Sequence, residues 1–367
     1  MKKVSLFLGM VLAASFAMAQ NTAKTTQTGD QNQTTVAQAG SLNDAAVLQN
    51  GDLNVGAADQ KGTSNIGVID QLDGDKNTSN LSQEGTSNEA YLTQGMVQGY
   101  YTAPYNVSTA MGASLNAITA AQKGLKNSME VVQVGNENAT TVSQEGNQNI
   151  ASSYQGWPFG FWGETTVTSA LSSASSNVNI EQLHNGNDGA VWQYGGEDNE
   201  ANISQDGNSN VARIAQGFIY VDAPYHFSTP VYNTNDNYAS ISQQGNTNAA
   251  KLFQLGNSNS FTLTQSGDGN KVGVAAGGLL EIRDGYFEQD GDGNEFIGSQ
   301  TDGATLDNTS RQTGDGNYIN MSQGEDDLAK IIQDGSSNDV FLTQMGGGQN
   351  AIILQTGDSN VATVSQQ

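Results

Sequence analysis

The chain has 367 residues, no cysteine and a formal net charge of −24, with 13 Lys and Arg against 37 Asp and Glu. That balance excludes a protein that grips a nucleic-acid backbone, which needs a surplus of basic side chains. The missing thiols exclude a disulfide framework and thiol chemistry.

The first element is a targeting segment. Lys2 and Lys3 precede a short apolar run from Val4 to Ala14, and Ala17-Met18-Ala19 is a small-x-small cleavage site. The run is too short to span a bilayer, so the pattern predicts a signal peptide over 1–19, cleaved after Ala19. The remainder, 20–367, is expected as one exported domain with no membrane span.

From Asn21 onward a single period organises the chain. Gln recurs at 27, 38, 49, 60 and 71 and continues through Gln83 and Gln94. It resumes at Gln122, Gln133, Gln144 and Gln155, then Gln182, Gln193, Gln205 and Gln216, then Gln243, Gln254 and Gln265, and last from Gln289 to Gln366, with Ala276 in one slot. Asn stands six residues before most of these Gln, as at Asn88, Asn138, Asn210, Asn248 and Asn360, and Gly commonly stands two after. The unit is Asn-x5-Gln followed by a four-residue x-Gly-x-x link, present in 27 copies. Asn, the second and fourth residues after it, and Gln share one face of a strand. The fourth place is Val, Ile, Leu, Met or Phe in 21 of 27 copies and the fifth place in only 5. That contrast fixes a period of two, and therefore strands, with the glycine link allowing a tight reversal.

A seven-residue strand with one apolar face cannot order itself alone, so identical coils must stack. Stacking also accounts for the inward amides. Each would be costly unpaired, but each can bond the same amide one coil away in an Asn/Gln ladder. The residues expected in such ladders include Gln83, Asn88, Gln94, Gln133, Asn138, Gln144, Gln205, Asn210, Gln216, Asn248, Gln254, Gln355, Asn360 and Gln366.

Three long inserts interrupt the period, from about Gly95 to Leu115, Gly156 to Ser175 and Gly217 to Asp236, with a short fourth from Gly277 to Ile282. Each follows a repeat terminus, at Gln94, Gln155, Gln216 and Ala276, and the steps between termini are 61, 61 and 60 residues. Each step holds four strands, or two coils, so the inserts are expected to leave one edge in a row. They carry aromatics that are candidate contacts to a partner: Tyr100, Tyr101, Tyr105, Trp157, Phe159, Trp162, Phe218, Tyr220 and Tyr225.

These units resemble the curlin repeat of curli fibre subunits, Ser-x5-Gln-x-Gly-x-x-Asn-x-Ala-x3-Gln. The match runs through Gln83, Gly85, Asn88, Ala90 and Gln94, through Gln205, Gly207, Asn210, Ala212 and Gln216, and through Gln355, Gly357, Asn360, Ala362 and Gln366. Ser176 even stands in the Asn slot ahead of Gln182. The resemblance implies an all-β, amyloid-like, two-sided β-solenoid, here of about 13 coils, with 27 short strands in two facing parallel sheets. It further implies a secreted, extracellular structural subunit of a biofilm or adhesive fibre. The expected partners are other copies of the chain, other curlin-repeat subunits or a nucleator, and secretion machinery. A monomeric surface adhesin, binding glycan or a surface through the inserts, is the alternative.

Other chemistry is weakly supported. Gly267-Asp268-Gly269-Asn270 and the similar strings at 291–294 and 314–317 suggest calcium turns, but calcium β-rolls repeat every nine residues, so plain turn chemistry is the simpler reading. His184 falls in a turn slot and His226 in an insert, neither within a nucleophile motif. The outward places are too mixed for a regular threonine ice-binding array. No enzyme activity, cofactor or metal is expected.

Overall fold

The computed structural model describes residues 20–95, 113–156, 173–193, 196–216, 235–254, 257–273, 284–300, 304–345 and 347–367. The nine aromatics singled out in the inserts, His226, Ala276 and the targeting segment 1–19 lie outside the described residues. Among the described residues the elements are strands, with no helix.

The strands form where the two-residue period places them. In Glu89–Gln94, Ala90, Leu92 and Gln94 are fully buried while Glu89 and Tyr91 are exposed. Thr78–Thr86 buries Ser79, Leu81 and Gln83 in the same alternation. Successive long strands go to opposite sheets, while the two-residue strands Ala113–Ser114, Gly135–Asn136, Ser173–Ala174 and Gly196–Glu197 form a small third sheet in the links. Fourteen parallel strands make the first sheet, which begins with Thr22–Thr28 and ends with Val361–Gln366. The facing sheet begins with Gln33–Ser41 and ends with Asn350–Thr356. The chain is a parallel β-solenoid of about a dozen turns, and its core is the two inward faces, a single cluster running from Ala45 to Ile353.

Register is set by the amides. Gln83 pairs with Gln122, and Gln94 with Gln133, so each strand lies on its neighbour without slippage. A one-residue slip would turn the whole buried set outward. Core identity changes along the stack at constant register. The second place is small at Ala45, Ala90, Ala151, Ala201, Ala212 and Ala250, but large at Ile118, Met129, Phe261 and Phe296. Phe287 and Phe296 stack across the core with ring centroids 4.4 Å apart.

Two features depart from simple alternation. Outward places next to the Gln should face solvent, yet Val132, Ala215 and Phe253 are buried there. They stand with Tyr154 and Trp192 in one register column on five successive strands, so each shields the next. The Tyr154 and Trp192 rings lie 6.5 Å apart and nearly parallel. The second departure is a split level. Thr305–Leu306 and Arg311–Thr313 both pair with Asp284–Asp290 on one side and Leu328–Asp334 on the other. Extra residues are taken up between them in a turn closed by the Ser310 N–H on the Asp307 carbonyl, at 2.9 Å.

Links differ between the two edges. Strands of the facing sheet return to the first sheet through a column of glycines. Gly85 has φ of 122°, and a Cβ there would sit 1.9 Å from the Gly124 carbonyl oxygen. Glycine is required because the next coil's backbone occupies the space a side chain would need. The residue just before each Asn slot is also left-handed, as at Ser87 with φ of 56°. On the opposite edge the inserts depart. The strands that precede them, Glu89–Gln94, Ile150–Gln155, Val211–Gln216 and Lys271–Val272, all belong to the first sheet and alternate with uninterrupted ones.

Candidate functional site: the amide ladders and the two free ends

The residues expected to form ladders are brought together in columns. In the facing sheet one column runs without a break from Gln38 to Gln355. Gln83 donates Nε2 to Gln122 Oε1 at 2.8 Å, Gln122 to Gln144 at 2.9 Å and Gln144 to Gln182 at 2.8 Å. Gln205 donates onward to Gln243 at 2.9 Å, and Gln333 to Gln355 at 2.9 Å. In the first sheet, Gln94 donates to Gln133 at 3.0 Å, Gln133 to Gln155 at 2.9 Å and Gln216 to Gln254 at 2.9 Å. That column resumes at Gln300 and closes with Gln344 to Gln366 at 2.9 Å.

Each amide nitrogen has two hydrogens, and both are used. While one runs along the stack, the other crosses to the opposite sheet. Gln83 also bonds the Ile66 carbonyl at 2.9 Å, and Gln144 the Ser128 carbonyl at 3.1 Å. The ladders therefore tie coil to coil and sheet to sheet at once. Such bonds gain strength in a dry interior because no water competes for them.

The Asn slots work differently. Their side-chain oxygen accepts the backbone N–H of the same slot one coil on, as from Asn127 to Asn88 at 3.1 Å, Asn138 to Asn116 at 2.8 Å and Asn248 to Asn210 at 3.0 Å. Their Nδ2 reaches the glycine link of the next coil, as from Asn88 to the Gly124 carbonyl and Asn248 to the Gly267 carbonyl. Ser176 substitutes in this column, accepting the Asn199 N–H on its Oγ. Asn360 donates to Asn338 but is exposed on the last coil, and Gln366 is half-buried there.

One set of contributors was missed from sequence. Ser or Thr in the second place can bond a Gln of the opposite sheet. Ser79 Oγ donates to Gln94 Oε1 at 2.9 Å, and Thr140 Oγ1 to Gln155 Oε1 at 2.8 Å. The signal was present as hydroxyls where Ala is the norm.

The Gly-Asp turns use their carboxylates on backbone. Asp268 Oδ1 accepts the Asn246 N–H, Asp292 the Asp268 N–H, and Asp315 the Asp292 N–H, at 2.6, 2.7 and 3.0 Å. Among the described residues no group of three or more His, Cys, Asp or Glu is arranged to hold a metal ion. Also among them, no helix is long and apolar enough to cross a membrane. His184 occupies a glycine slot with φ of 70°, and its Nδ1 lies 2.9 Å from Asp206 Oδ1. Lys123 meets Glu145 one coil away at 2.8 Å. Their hydrogen bond raises the Lys123 pKa and lowers that of Glu145.

The ladders give the stack a direction. Among the described residues, every Gln–Gln ladder bond runs from Nε2 to the Oε1 one coil nearer the C-terminal end. Gln27 and Gln38 therefore present side-chain oxygens at one end, and Gln355 and Gln366 present amide nitrogens at the other. Both ends also carry strands with one unpaired backbone edge.

The chain is thus a parallel β-solenoid whose coils are tied together by stacked side-chain amides. A family model described as the curlin associated repeat matches residues 196–218, 234–267 and 335–367, so the chain carries curlin-type repeats at three places. No curated protein matches it.

Proposed function

We propose that the protein is a structural subunit of an extracellular curli-like amyloid fibre, exported after removal of 1–19 and assembled by end-to-end stacking of coils. The observation that carries this reading is the polarity of the ends. Acceptors at Gln27 and Gln38 complement donors at Gln355 and Gln366, and open parallel edges are ready templates for another strand. Loss of Lys2 and Lys3 with the leader takes the formal charge from −24 to −26, which keeps copies apart until their ends meet. Copies of the same chain are the main partners. Other curlin-repeat subunits or a nucleator fit the same ends, and secretion machinery delivers the chain.

The test is to concentrate the purified protein and follow it by electron microscopy and fibre diffraction. Fibres with a reflection near ~4.8 Å along their axis are expected. A protein that stays monomeric for days, with no such reflection, overturns the reading and leaves a monomeric adhesin acting through Tyr105, Trp157, Tyr225 and their neighbours.

A further inference from the structure

The two sheets do not hold the same number of strands. The first has fourteen. The facing sheet has thirteen levels, because its fourteen strands include two pieces, Thr305–Leu306 and Arg311–Thr313, that share one level. The described stack thus contains 27 levels and both starts and finishes in the first sheet.

This parity governs how a second copy can sit on the first. Each eleven-residue unit relates to the next by a half-turn about the stack axis and a rise of half a coil, ~2.4 Å. Applied 27 times, that operation is again a half-turn. Suppose a second copy were instead added by translation, with its Thr22–Thr28 on Val361–Gln366. Its Gln33–Ser41 would then lie two coil heights above Asn350–Thr356, ~9.6 Å instead of ~4.8 Å. One strand would be missing from the facing sheet at each junction, with a bare backbone edge and the Gln355 amide opposite nothing. Unpaired groups of this kind are costly once enclosed.

Resting on the fibre reading above, we propose that successive copies join by a half-turn, so that the first sheet of one continues as the facing sheet of the next. Thr22–Thr28 of the second copy then lies on Asn350–Thr356, and its Gln33–Ser41 on Val361–Gln366. Gln355 meets Gln27 and Gln366 meets Gln38, so both ladders pass through the junction. Gln355 and Gln366 each spend one amide hydrogen on a carbonyl across the sheet, of Asp339 and Asn350, which leaves the other for the axial bond.

A second observation favours the half-turn independently. Among the described residues, Gln349 Oε1 is the buried side-chain polar atom without a hydrogen-bond partner. Gln349 stands in the Asn slot of the last coil on the insert edge, and its own N–H bonds Asp327 Oδ1 one coil below at 2.8 Å. In this column the slot's oxygen takes the N–H of the slot above, as Asn116 does from Asn138. The half-turn sets the second copy's Asn21 N–H over Gln349, whereas translation leaves that place empty. The half-turn also exchanges the two edges, so the insert rows project alternately to opposite sides of the fibre, one subunit every ~65 Å.

Cysteine pairs test the junction, since the chain has no native thiol. The half-turn pairs Leu354 with Thr26 of the next copy, and translation pairs Ser365 with Thr26. Facing residues on adjacent strands are close enough for a disulfide. Fibres of Leu354→Cys/Thr26→Cys and of Ser365→Cys/Thr26→Cys would be grown reduced, oxidised, dissolved in denaturant and run on a non-reducing gel. A covalent ladder from the first pair and monomers from the second are expected. The reverse result overturns the half-turn, as do fibres in which neither pair links. Absence of fibres from the unmodified protein defeats the fibre reading itself, and the junction with it. Gold on Asp52→Cys, an exposed turn of the insert edge, gives a readout that does not depend on either cysteine pair. Labels should alternate sides along the fibre, and a single-sided row overturns the proposal.

Discussion

Gln144 donates its amide to Gln182 at 2.8 Å although the two are 38 residues apart in the chain. Gln122 donates to Gln144 at 2.9 Å across only 22. The bond is the same whether the chain between is two regular links or includes a long insert. Coil spacing is therefore set by the ladder and the paired backbones, and the links accommodate it.

The first prediction follows from that bond. Gln144→Leu takes an acceptor from Gln122, a donor from Gln182 and a donor from the Ser128 carbonyl. Buried groups left without partners should cost about 1–3 kcal/mol. Thr141, on the same strand, is exposed, so Thr141→Leu should change stability by less than about 0.5 kcal/mol. Urea denaturation of the two variants checks this, and equal midpoints would refute the ladder's contribution.

Glycine links offer a sharper contrast. Gly85→Ala must place a methyl 1.9 Å from the Gly124 carbonyl oxygen at a φ of 122°. The next coil has to move, which should cost about 3 kcal/mol or more. Gly293 has φ of 67° with nothing within 4 Å of its would-be Cβ. There Ala meets only the left-handed penalty, about 1 kcal/mol. Thermal melts should rank the two in that order.

Acid sensitivity has one local test. The Thr309 hydroxyl and N–H both bond Asp307 Oδ1 and hold its carboxyl below the usual range. A carboxylate with a depressed folded pKa adds stability above its unfolded value, near ~3.9, and loses it as pH falls through the lower folded value. The residue is only partly buried, so solvent screening keeps the contribution under about 1 kcal/mol. Thr309→Val should be less stable than the parent at neutral pH and match it at the acid end. A gap that does not change with pH would count against this coupling.

Much of this architecture could be read from residue order because one short rule repeats. Asn88, Ala90, Leu92 and Gln94 share a face in any strand, and repetition of that pattern leaves stacking as the way to satisfy the amides. What escaped depends on neighbours that a local pattern does not name. The left-handed residue before each Asn is Leu at 42, Ser at 87 and Lys at 126, so no residue type marks it. Val132 and Phe253 look like outward residues until Tyr154, Trp192 and Ala215 are seen to stand between them in one column. The split around Asp307 comes from a spacing irregularity whose absorption within one level is visible only in three dimensions. The candidate ladder residues were the easiest to find, since an inward amide has few other uses. The hydroxyls of Ser79 and Thr140 were hard to find, since small polar residues fit many places.

The last prediction concerns the inserts. Removing 96–112 joins Gly95 to Ala113 and leaves Gly95-Ala113-Ser114-Leu115, a four-residue link ahead of Asn116. The flanks already hold the conformation such a link needs. Ala113 pairs with Gly135 and Ser114 with Asn136 of the next coil. The Gly95 N–H bonds the Gln133 carbonyl, as the Val134 N–H bonds that of Gln155. Val134 and Gly135 are consecutive, so the residues stacked on them, Gly95 and Ala113, stand about one Cα–Cα step apart, ~3.8 Å. Leu115 has the left-handed φ of 60° found at this position in other links. Closing the gap therefore demands no rearrangement, and the shorter loop returns about 1.5 kcal/mol of closure entropy. The deletion variant should keep its strand signal in circular dichroism, melt at or above the parent temperature and still form fibres under the conditions in which the parent does. Removal of 157–172, which leaves Gly156-Ser173-Ala174-Ser175 before Ser176, should behave the same way. A broad, non-cooperative melt in either variant would mean that the insert holds the coils together, and that Tyr100, Tyr101 and Tyr105 or Trp157, Phe159 and Trp162 belong to the core's support. Cooperative melting together with lost binding to cells or glycans would instead assign those rings to contact with a partner.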